Sequence, residues 1–235
     1  MLDIVSLFAS LIAVFFVLVP HEFAHAYVAY KNGDATAKMY GRLTLNPIKH
    51  LDPIGFILCI FTGFGWAKPV PIYPYNFKKY RVGLFTTAIA GVVTNYVFAF
   101  FAYPLYLLFF KILLPLCVTD IAWYTVYFVS SVFYFIYLYG LTIFVFNILP
   151  LNPLDGFRVV ESLTREINPV RRFLNNYGQY ILIFLVVECF VCNQLVARAH
   201  LDYFNYFNIL GHYLKWFAEI IGFPIKTLWN AIFGL

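Results

Sequence analysis

Long uninterrupted runs of apolar residues dominate the chain, and the short polar stretches between them carry most of the charge. The first run extends from Ile4 to Tyr30 with one brief polar interruption, and the runs 82–110 and 121–154 contain no Asp, Glu, Lys or Arg. A helix that crosses a bilayer needs about 20 mostly apolar residues, whereas a soluble core helix shows only a periodic apolar stripe. The pattern therefore predicts an all-α membrane protein, a polytopic helix bundle.

Two later stretches are harder to assign from their length. The run from about Tyr180 to Val196 contains Glu188 as its only charged residue and predicts one more crossing. Residues 203–235 mix charged residues with several Tyr and Trp residues, so they predict either a final span or a helix along the membrane interface. We expect about five or six spans in total.

The segment from Ile54 to Trp66 is apolar but has only 13 residues, fewer than a spanning helix needs. Lys49 and Lys68 flank it, so both of its ends are expected on the same side of the membrane. We interpret residues 54–66 as a short re-entrant or hairpin segment. Irregular backbone at that depth is tolerated only where protein or a wet cavity covers it.

Composition supports this interpretation and excludes other classes of protein. Of the 235 residues, 63% are hydrophobic and 11% are charged, and a soluble domain of this length exposes far more charge. The net charge of +5 is not gathered into the dense basic tract of a nucleic-acid-binding protein. Basic residues concentrate in the regions 31–81 and 158–172, which are therefore expected to face the cytoplasm. The lipid bilayer is an expected partner, and nucleic acid is not.

The strongest chemical signal is the sequence HEFAH, in which His21, Glu22 and His25 lie inside the first apolar run. Two His residues four positions apart lie about 40° apart around a helix, so both imidazoles can bind one ion. The Glu between them can take a proton from metal-bound water, whose pKa falls to about 7. Such groups are costly in lipid and indicate a functional site. The alternatives are hydrogen bonding within the bundle and metal binding without catalysis.

A hydrolytic zinc site normally has three protein ligands and an open position, so a third ligand is required. Asp155 is the best candidate, because it follows a charge-free run and is expected at the same cytoplasmic end as His25. Residues that break helices surround it and would turn its carboxylate toward the bundle: Pro150, Asn152, Pro153 and Gly156. An ordinary turn that caps the next helix is the alternative interpretation of Asp155.

HEFAH followed far downstream by NPLDG resembles the site-2 protease family of intramembrane zinc metalloproteases, in particular its compact bacterial branch. The resemblance implies that His21, His25 and Asp155 hold one Zn²⁺ per chain and that Glu22 is the catalytic base. A metal transporter or sensor that uses the same three ligands is the alternative function. A pseudoprotease that only binds membrane helices is a third possibility.

Two further stretches resemble the same family, namely GRLTLNPIKHLDPIGF at Gly41–Phe56 and FGWAKPVPI at Phe64–Ile72. The resemblance covers roughly the first 165 residues in patches. We therefore expect one membrane-embedded domain, 1–235, with a catalytic core at about 1–165 and C-terminal helices at about 178–235. The resemblance implies an endopeptidase of the bacterial inner membrane that cleaves within or next to a transmembrane segment of its protein substrates. Its active site would lie toward the cytoplasmic side.

One stretch departs from the family pattern. The family often has Ala-Gly-Pro followed shortly by Asn, whereas this chain has AGVVTN at Ala90–Asn95. By resemblance, the Asn95 amide binds substrate or donates a hydrogen bond to the developing oxyanion. The alternative is a polar residue that holds two helices together.

Other polar and thiol groups give weaker signals. His50 lies in a basic loop, where an exposed or helix-capping role is favoured over a further ligand. Glu188 is expected either to line a wet cavity or to approach the outer interface. Four cysteines lie in or beside apolar runs and are expected to act as small packed hydrophobes rather than as disulfides: Cys59, Cys117, Cys189 and Cys192.

Overall fold

A computed structural model of the chain describes residues 4–55 and 67–234, except for the side chain of Arg198. Nearly all of the segment predicted at 54–66 lies outside the described residues. Within these ranges the regular structure is helical, apart from one isolated antiparallel bridge between Leu51 and Ala67. The prediction of an all-α protein is thereby confirmed.

Eight α-helices follow one another along the described chain. They are α1 (Ile4–Lys31), α2 (Thr36–Met39), α3 (Pro47–His50), α4 (Tyr80–Leu107), α5 (Asp120–Asn147), α6 (Asp155–Leu163), α7 (Pro169–Ala199) and α8 (Ile209–Phe233). A π-helical turn at Leu108–Leu113 continues α4, and short 3₁₀ turns occur at Pro74–Asn76, Leu114–Leu116 and Asp202–Phe207.

Four helical stretches are long and apolar enough to cross a membrane: Ile4–Lys31, Tyr80–Leu116, Asp120–Asn147 and Pro169–Ala197. The protein is thus a multi-pass membrane protein. The number of spans that the described helices support is lower than the predicted five or six. Helix α8 has 25 residues, but its apolar sequence is interrupted by Lys215, Glu219 and Lys226.

Helices α1, α4 and α5 pack together into the core of the bundle. Small residues allow their backbones to approach closely, as is common between membrane helices. A Cβ atom on Gly140 of α5 would lie 2.9 Å from the backbone oxygen of Asn95 and 3.1 Å from the Cβ atom of Ala99, both on α4. This close packing holds the middle of α4 directly against α5.

Helix α8 covers the far end of this core and is joined to α4 by polar contacts. The Trp229 indole N–H donates to the carbonyl oxygen of Phe100 at 3.0 Å, and the Tyr103 hydroxyl donates to the Asn230 side chain at 3.1 Å. Helix α7 is mostly exposed and is linked to α6 by a 2.7 Å ion pair between Arg171 and Glu161. Helix α8 therefore contributes to the core through the buried Ile225, whereas α7 lies at the edge of the bundle.

The loop after α1 is folded around the buried carboxylate of Asp34. This carboxylate accepts hydrogen bonds from the backbone N–H groups of Thr36 at 3.0 Å and Tyr73 at 2.7 Å. It also accepts from the Asn76 amide at 2.9 Å and from the Thr36 hydroxyl. Burial alone would raise the pKa of Asp34, but these hydrogen bonds outweigh burial and hold the pKa below its ordinary value. Residues 73–76 are thereby fixed beside the C-terminal end of α1.

His50 is buried, contrary to the exposed or capping role expected from the sequence. Its Nε2–H donates to the carbonyl oxygen of Thr44 at 2.7 Å. Nearby, the buried Arg42 guanidinium donates to the carbonyl oxygen of Lys68. The physical reason is that the loop folds back on itself, so polar side chains that look exposed in the sequence satisfy backbone carbonyls inside it.

Candidate metal centre

Three side chains from distant parts of the chain converge where the C-terminal half of α1 meets the start of α6. His21 Nε2 and His25 Nε2 lie 3.0 Å apart, and Asp155 Oδ2 lies 3.4 Å from the first nitrogen and 3.0 Å from the second. Ligand atoms of a tetrahedral zinc ion with bonds of about 2.0 Å lie about 3.3 Å from one another. The three atoms are therefore spaced as zinc requires.

Two glycines, one on α4 and one on α6, leave the space that this convergence requires. A Cβ atom on Gly91 of α4 would collide with His25 Nε2 and come within 2.6 Å of His21 Cε1, so only glycine leaves room for both imidazoles. A Cβ atom on Gly156 would collide with the carbonyl oxygens of Ile148 and Leu149. The absent side chain thus lets the first turn of α6 close against the end of α5 and bring Asp155 to the site.

Hydrogen bonds at the outer nitrogens orient the two imidazoles. His25 Nδ1 lies 2.7 Å from the carbonyl oxygen of Thr87, which can only accept, so Nδ1 carries the proton and Nε2 presents its lone pair to the centre. The Asn95 amide lies 3.0 Å from His21 Nδ1, and Asn95 Oδ1 is buried without a partner among the described residues. Amide oxygen and nitrogen exchange by rotation, after which Oδ1 would accept from His21 Nδ1–H.

The charge state of the site favours a cation. Asp155 Oδ2 is buried and receives no hydrogen bond within the described part of the chain. A buried carboxylate is unfavourable unless a positive charge or donor groups offset its burial, and this carboxylate faces His21 Nε2 and His25 Nε2 at 3.4 Å and 3.0 Å. One proton can bridge only one pair of these three acceptors, whereas a zinc ion satisfies all three. Two nitrogens and one oxygen are also the ligand set of hydrolytic zinc sites, which keep one position open.

Glu22 lies beside the three ligands but does not belong to their cluster. Its Oε2 accepts a 3.0 Å hydrogen bond from the backbone N–H of Val70. Pro69 and Pro71 flank Val70 and have no N–H, so Val70 is the only backbone donor of this short stretch. Glu22 is therefore held next to the three possible ligands, and its role as a base stays a prediction from the HEFAH motif.

A cavity of about 130 Å³ opens onto these groups and is lined by Glu22 and the three ligands. Asn147, the last residue of α5, and Arg158, one turn after Asp155 on α6, also line it. Neither residue was predicted from the sequence. The spacing of three residues between Asp155 and Arg158 was the available signal, because it puts both side chains on the same face of a helix.

A larger groove of about 620 Å³ lies between α1 and α4, away from the metal ligands. Its walls are almost entirely apolar and include Phe23, Tyr27, Ile89 and Val93. None of the described residues that line it is His, Asp, Glu or Cys, the residue types that bind zinc. The larger volume of the groove therefore does not identify the metal site. We assign the chemistry to the smaller cavity, because His21, His25 and Asp155 line it.

Comparison with known proteins gives an independent identification. The sequence model of peptidase family M50 matches residues 111–189, which include Asp155 but not HEFAH. The chain is 45% identical over 171 residues to YwhC of Bacillus subtilis (strain 168). The name of that protein describes it as a candidate zinc metalloprotease. The match covers 71% of this chain and 74% of YwhC. It is 27% identical to Rip2 of Mycobacterium tuberculosis, named in the same way, over 71% of this chain and 61% of that protein.

No solved structure matches the chain significantly. The sequence identity with YwhC and its coverage establish the relationship without one. The chain belongs to peptidase family M50, the site-2 protease family, and is a zinc metalloprotease.

Proposed function

We propose that this metalloprotease hydrolyses a peptide bond within or next to a transmembrane segment of another membrane protein. The observation that carries the proposal is the position of the ligand cluster. His21 and His25 belong to α1, which is long and apolar enough to span the bilayer, and α1 packs against two further spanning helices. A peptide bond can reach such a site only if it lies at or near membrane depth.

His21, His25 and Asp155 would hold the zinc ion. When bound, zinc supplies Lewis acidity that activates water and polarises a carbonyl group. The Thr87 carbonyl keeps the His25 ring in its orientation through Nδ1–H. Glu22, oriented by the Val70 N–H, takes the proton from the attacking water and passes it to the leaving amine.

The substrate must enter this cavity in an unwound form. Carbonyl groups in an intact helix are already hydrogen-bonded along the helix, so a helical substrate has no accessible scissile bond. Residues 54–66, which we expect to offer an edge for such an extended stretch, lie almost entirely outside the described residues. That part of the proposal rests on the length and glycine content of the segment.

The active site is proposed to face the cytoplasmic side of a bacterial inner membrane. Lys31 ends α1 less than two turns after His25, and Arg158 and Arg165 follow Asp155. Basic residues at these ends of the bundle support a cytoplasmic orientation. Substrates would accordingly be cleaved near the cytoplasmic boundary of their transmembrane segments.

A transporter would place ionisable groups along a path through the bundle, often in two repeated halves. Within residues 4–55 and 67–234, His21, His25 and Asp155 form the only group of three or more possible ligands. This single cluster, with a Glu beside it, supports the protease over a carrier.

Glu22→Gln is the substitution that separates these functions, because it keeps the shape of the side chain and removes its basicity. Purified protein would be tested on a synthetic transmembrane peptide with a fluorophore and a quencher on either side of its cytoplasmic boundary. We expect zinc content to stay at one ion per chain and cleavage to fall at least about 1,000-fold.

Glu219→Gln is the matched control, because Glu219 is exposed on α8. It should cleave like the wild type. Undiminished cleavage by Glu22→Gln would refute the proposed base. Zinc uptake by vesicles that contain the Glu22→Gln protein, with no cleavage by the wild type, would identify a carrier.

A further inference from the structure

Arg158 occupies an unusual place in the wall of the catalytic cavity. It lies one turn along α6 from Asp155, is half-buried, and lines the same cavity as Glu22. No Asp or Glu oxygen of the described residues lies within 4.0 Å of its guanidinium, and it makes no hydrogen bond to them. Partial burial of a cation that has no anionic partner costs free energy, and a bound anionic ligand would offset that cost.

The charges around the cavity show what kind of ligand this would be. With zinc bound, the ion's two positive charges are balanced by the carboxylates of Asp155 and Glu22. Arg158 is the only Lys or Arg among the described residues that line the cavity, so its charge remains in excess. An excess positive charge in a partly desolvated cavity attracts a negative charge that arises there.

The proposed reaction produces such a charge on one group. Water oxygen bonds to the scissile carbonyl carbon while Glu22 takes one water proton, and Glu22 delivers that proton to the nitrogen as the carbon–nitrogen bond breaks. The second water proton leaves the new carboxyl group and ends on the product amine, which becomes an ammonium group. The carbonyl oxygen, neutral in the substrate, becomes an oxyanion and then part of a carboxylate. A guanidinium presents a planar fork of donors that suits two oxygens on one carbon.

We propose that Arg158 binds the oxygen atoms of the scissile carbonyl carbon as they become negatively charged, and then holds the product carboxylate. This inference rests on the proposed hydrolysis. Because the contact strengthens as the reaction proceeds, Arg158 should contribute to kcat more than to KM. The same contact should make the enzyme bind its N-terminal product more tightly as a free acid than as a carboxamide.

The test compares wild type, Arg158→Gln and Arg158→Lys in two measurements. The first is kcat and KM for the quenched transmembrane peptide. The second is the affinity for the N-terminal product peptide, made once with a free carboxylate and once with a carboxamide. Affinity is measured with zinc bound and again after chelation, because zinc itself binds carboxylates. Arg165→Gln is the matched control, since Arg165 is an exposed arginine just beyond the same helix.

We expect Arg158→Gln to keep its zinc and its melting temperature but to lose about 10-fold to 100-fold in kcat, with a smaller change in KM. The ratio of its affinities for the free-acid and carboxamide peptides should fall about 10-fold relative to wild type. This difference from wild type should persist after zinc is removed with a chelator. Arg158→Lys should retain part of both effects, because it keeps the charge but not the fork. Arg165→Gln should behave like the wild type.

An Arg158→Gln protein with wild-type kcat and an unchanged preference for the acid would overturn the inference. If Arg165→Gln loses as much kcat and as much preference for the free acid as Arg158→Gln, the inference is also overturned. The effect would then come from the total charge of the protein and not from the position of Arg158. If the wild-type protein cleaves nothing but still prefers the acid through Arg158, the proposed proteolysis fails while the anion site stands.

Discussion

Asn95 illustrates at the scale of single residues how one side chain supports a metal ligand. Its amide touches the outer nitrogen of His21, and the side chain is fully buried. We predict that Asn95→Leu lowers zinc affinity about 10-fold to 100-fold, the usual effect of losing a partner behind a ligand. Competition with a fluorescent chelator measures this affinity.

Thr94→Val is the control for this substitution, because the Thr94 hydroxyl bonds to the Ala90 carbonyl of its own helix. If Asn95→Leu instead keeps its zinc affinity and raises only KM, Asn95 contacts substrate, as the family resemblance implies.

The sequence predicted which residues would meet at the site but not what surrounds them. His21 and His25 follow from their spacing on a helix, and Asp155 follows from the charge pattern that puts it at the same membrane face. Gly91 and Thr87 could not be assigned from the sequence, because their role depends on which face of α4 turns toward α1. That choice is made by packing between distant helices.

At the scale of elements, the loop held by Asp34 carries a stability that depends on pH. The pKa of Asp34 is lowered in the folded protein, so its contribution is present above the ordinary value of 3.8 and is lost as pH falls through the lower folded pKa. We predict that Asp34→Asn lowers the free energy of unfolding by about 2 kcal/mol at pH 7. Thermal melts between pH 7 and pH 3 would measure the difference from wild type.

The difference between wild type and Asp34→Asn should shrink toward the acid end of this series. The exposed Asp202→Asn is the control and should melt like the wild type at every pH. A difference that stays constant down to pH 3 would contradict the role of the charged carboxylate.

The ends of the helices were less predictable than their existence. The sequence predicted C-terminal helices from about residue 178, whereas α7 begins at Pro169. The Asn168 side chain caps this start by accepting from the N–H groups of Val170 and Arg171, and Pro169 suits the first helical position. An apolar run marks the part of a helix in contact with lipid, whereas capping residues mark where the helix begins.

At the scale of the whole molecule, the zinc site joins α1 to α6, so zinc should stabilise the bundle. Without the ion, three acceptor atoms 3.0–3.4 Å apart face one another in a buried site. We predict that zinc at 100 times its dissociation constant stabilises the wild type by about 2.7 kcal/mol, and that Asp155→Ala loses this response. Melting curves with zinc and with a chelator, together with metal analysis, provide the measurement.

The exposed Asp120→Ala serves as the control for this experiment and should respond to zinc like the wild type. Tight zinc binding by Asp155→Ala, at one ion per chain, would remove Asp155 from the ligand set.

The wide separation of the ligands along the chain also has a consequence during synthesis. Between His21 and Asp155 lie 133 residues, including the two long apolar helices α4 and α5. A ribosome that has released HEFAH into the membrane has therefore not yet produced a complete site. The three ligands can therefore meet only after α1, α4 and α5 have been made and α6 has emerged and docked, so the growing chain cannot hold zinc in this site before that point.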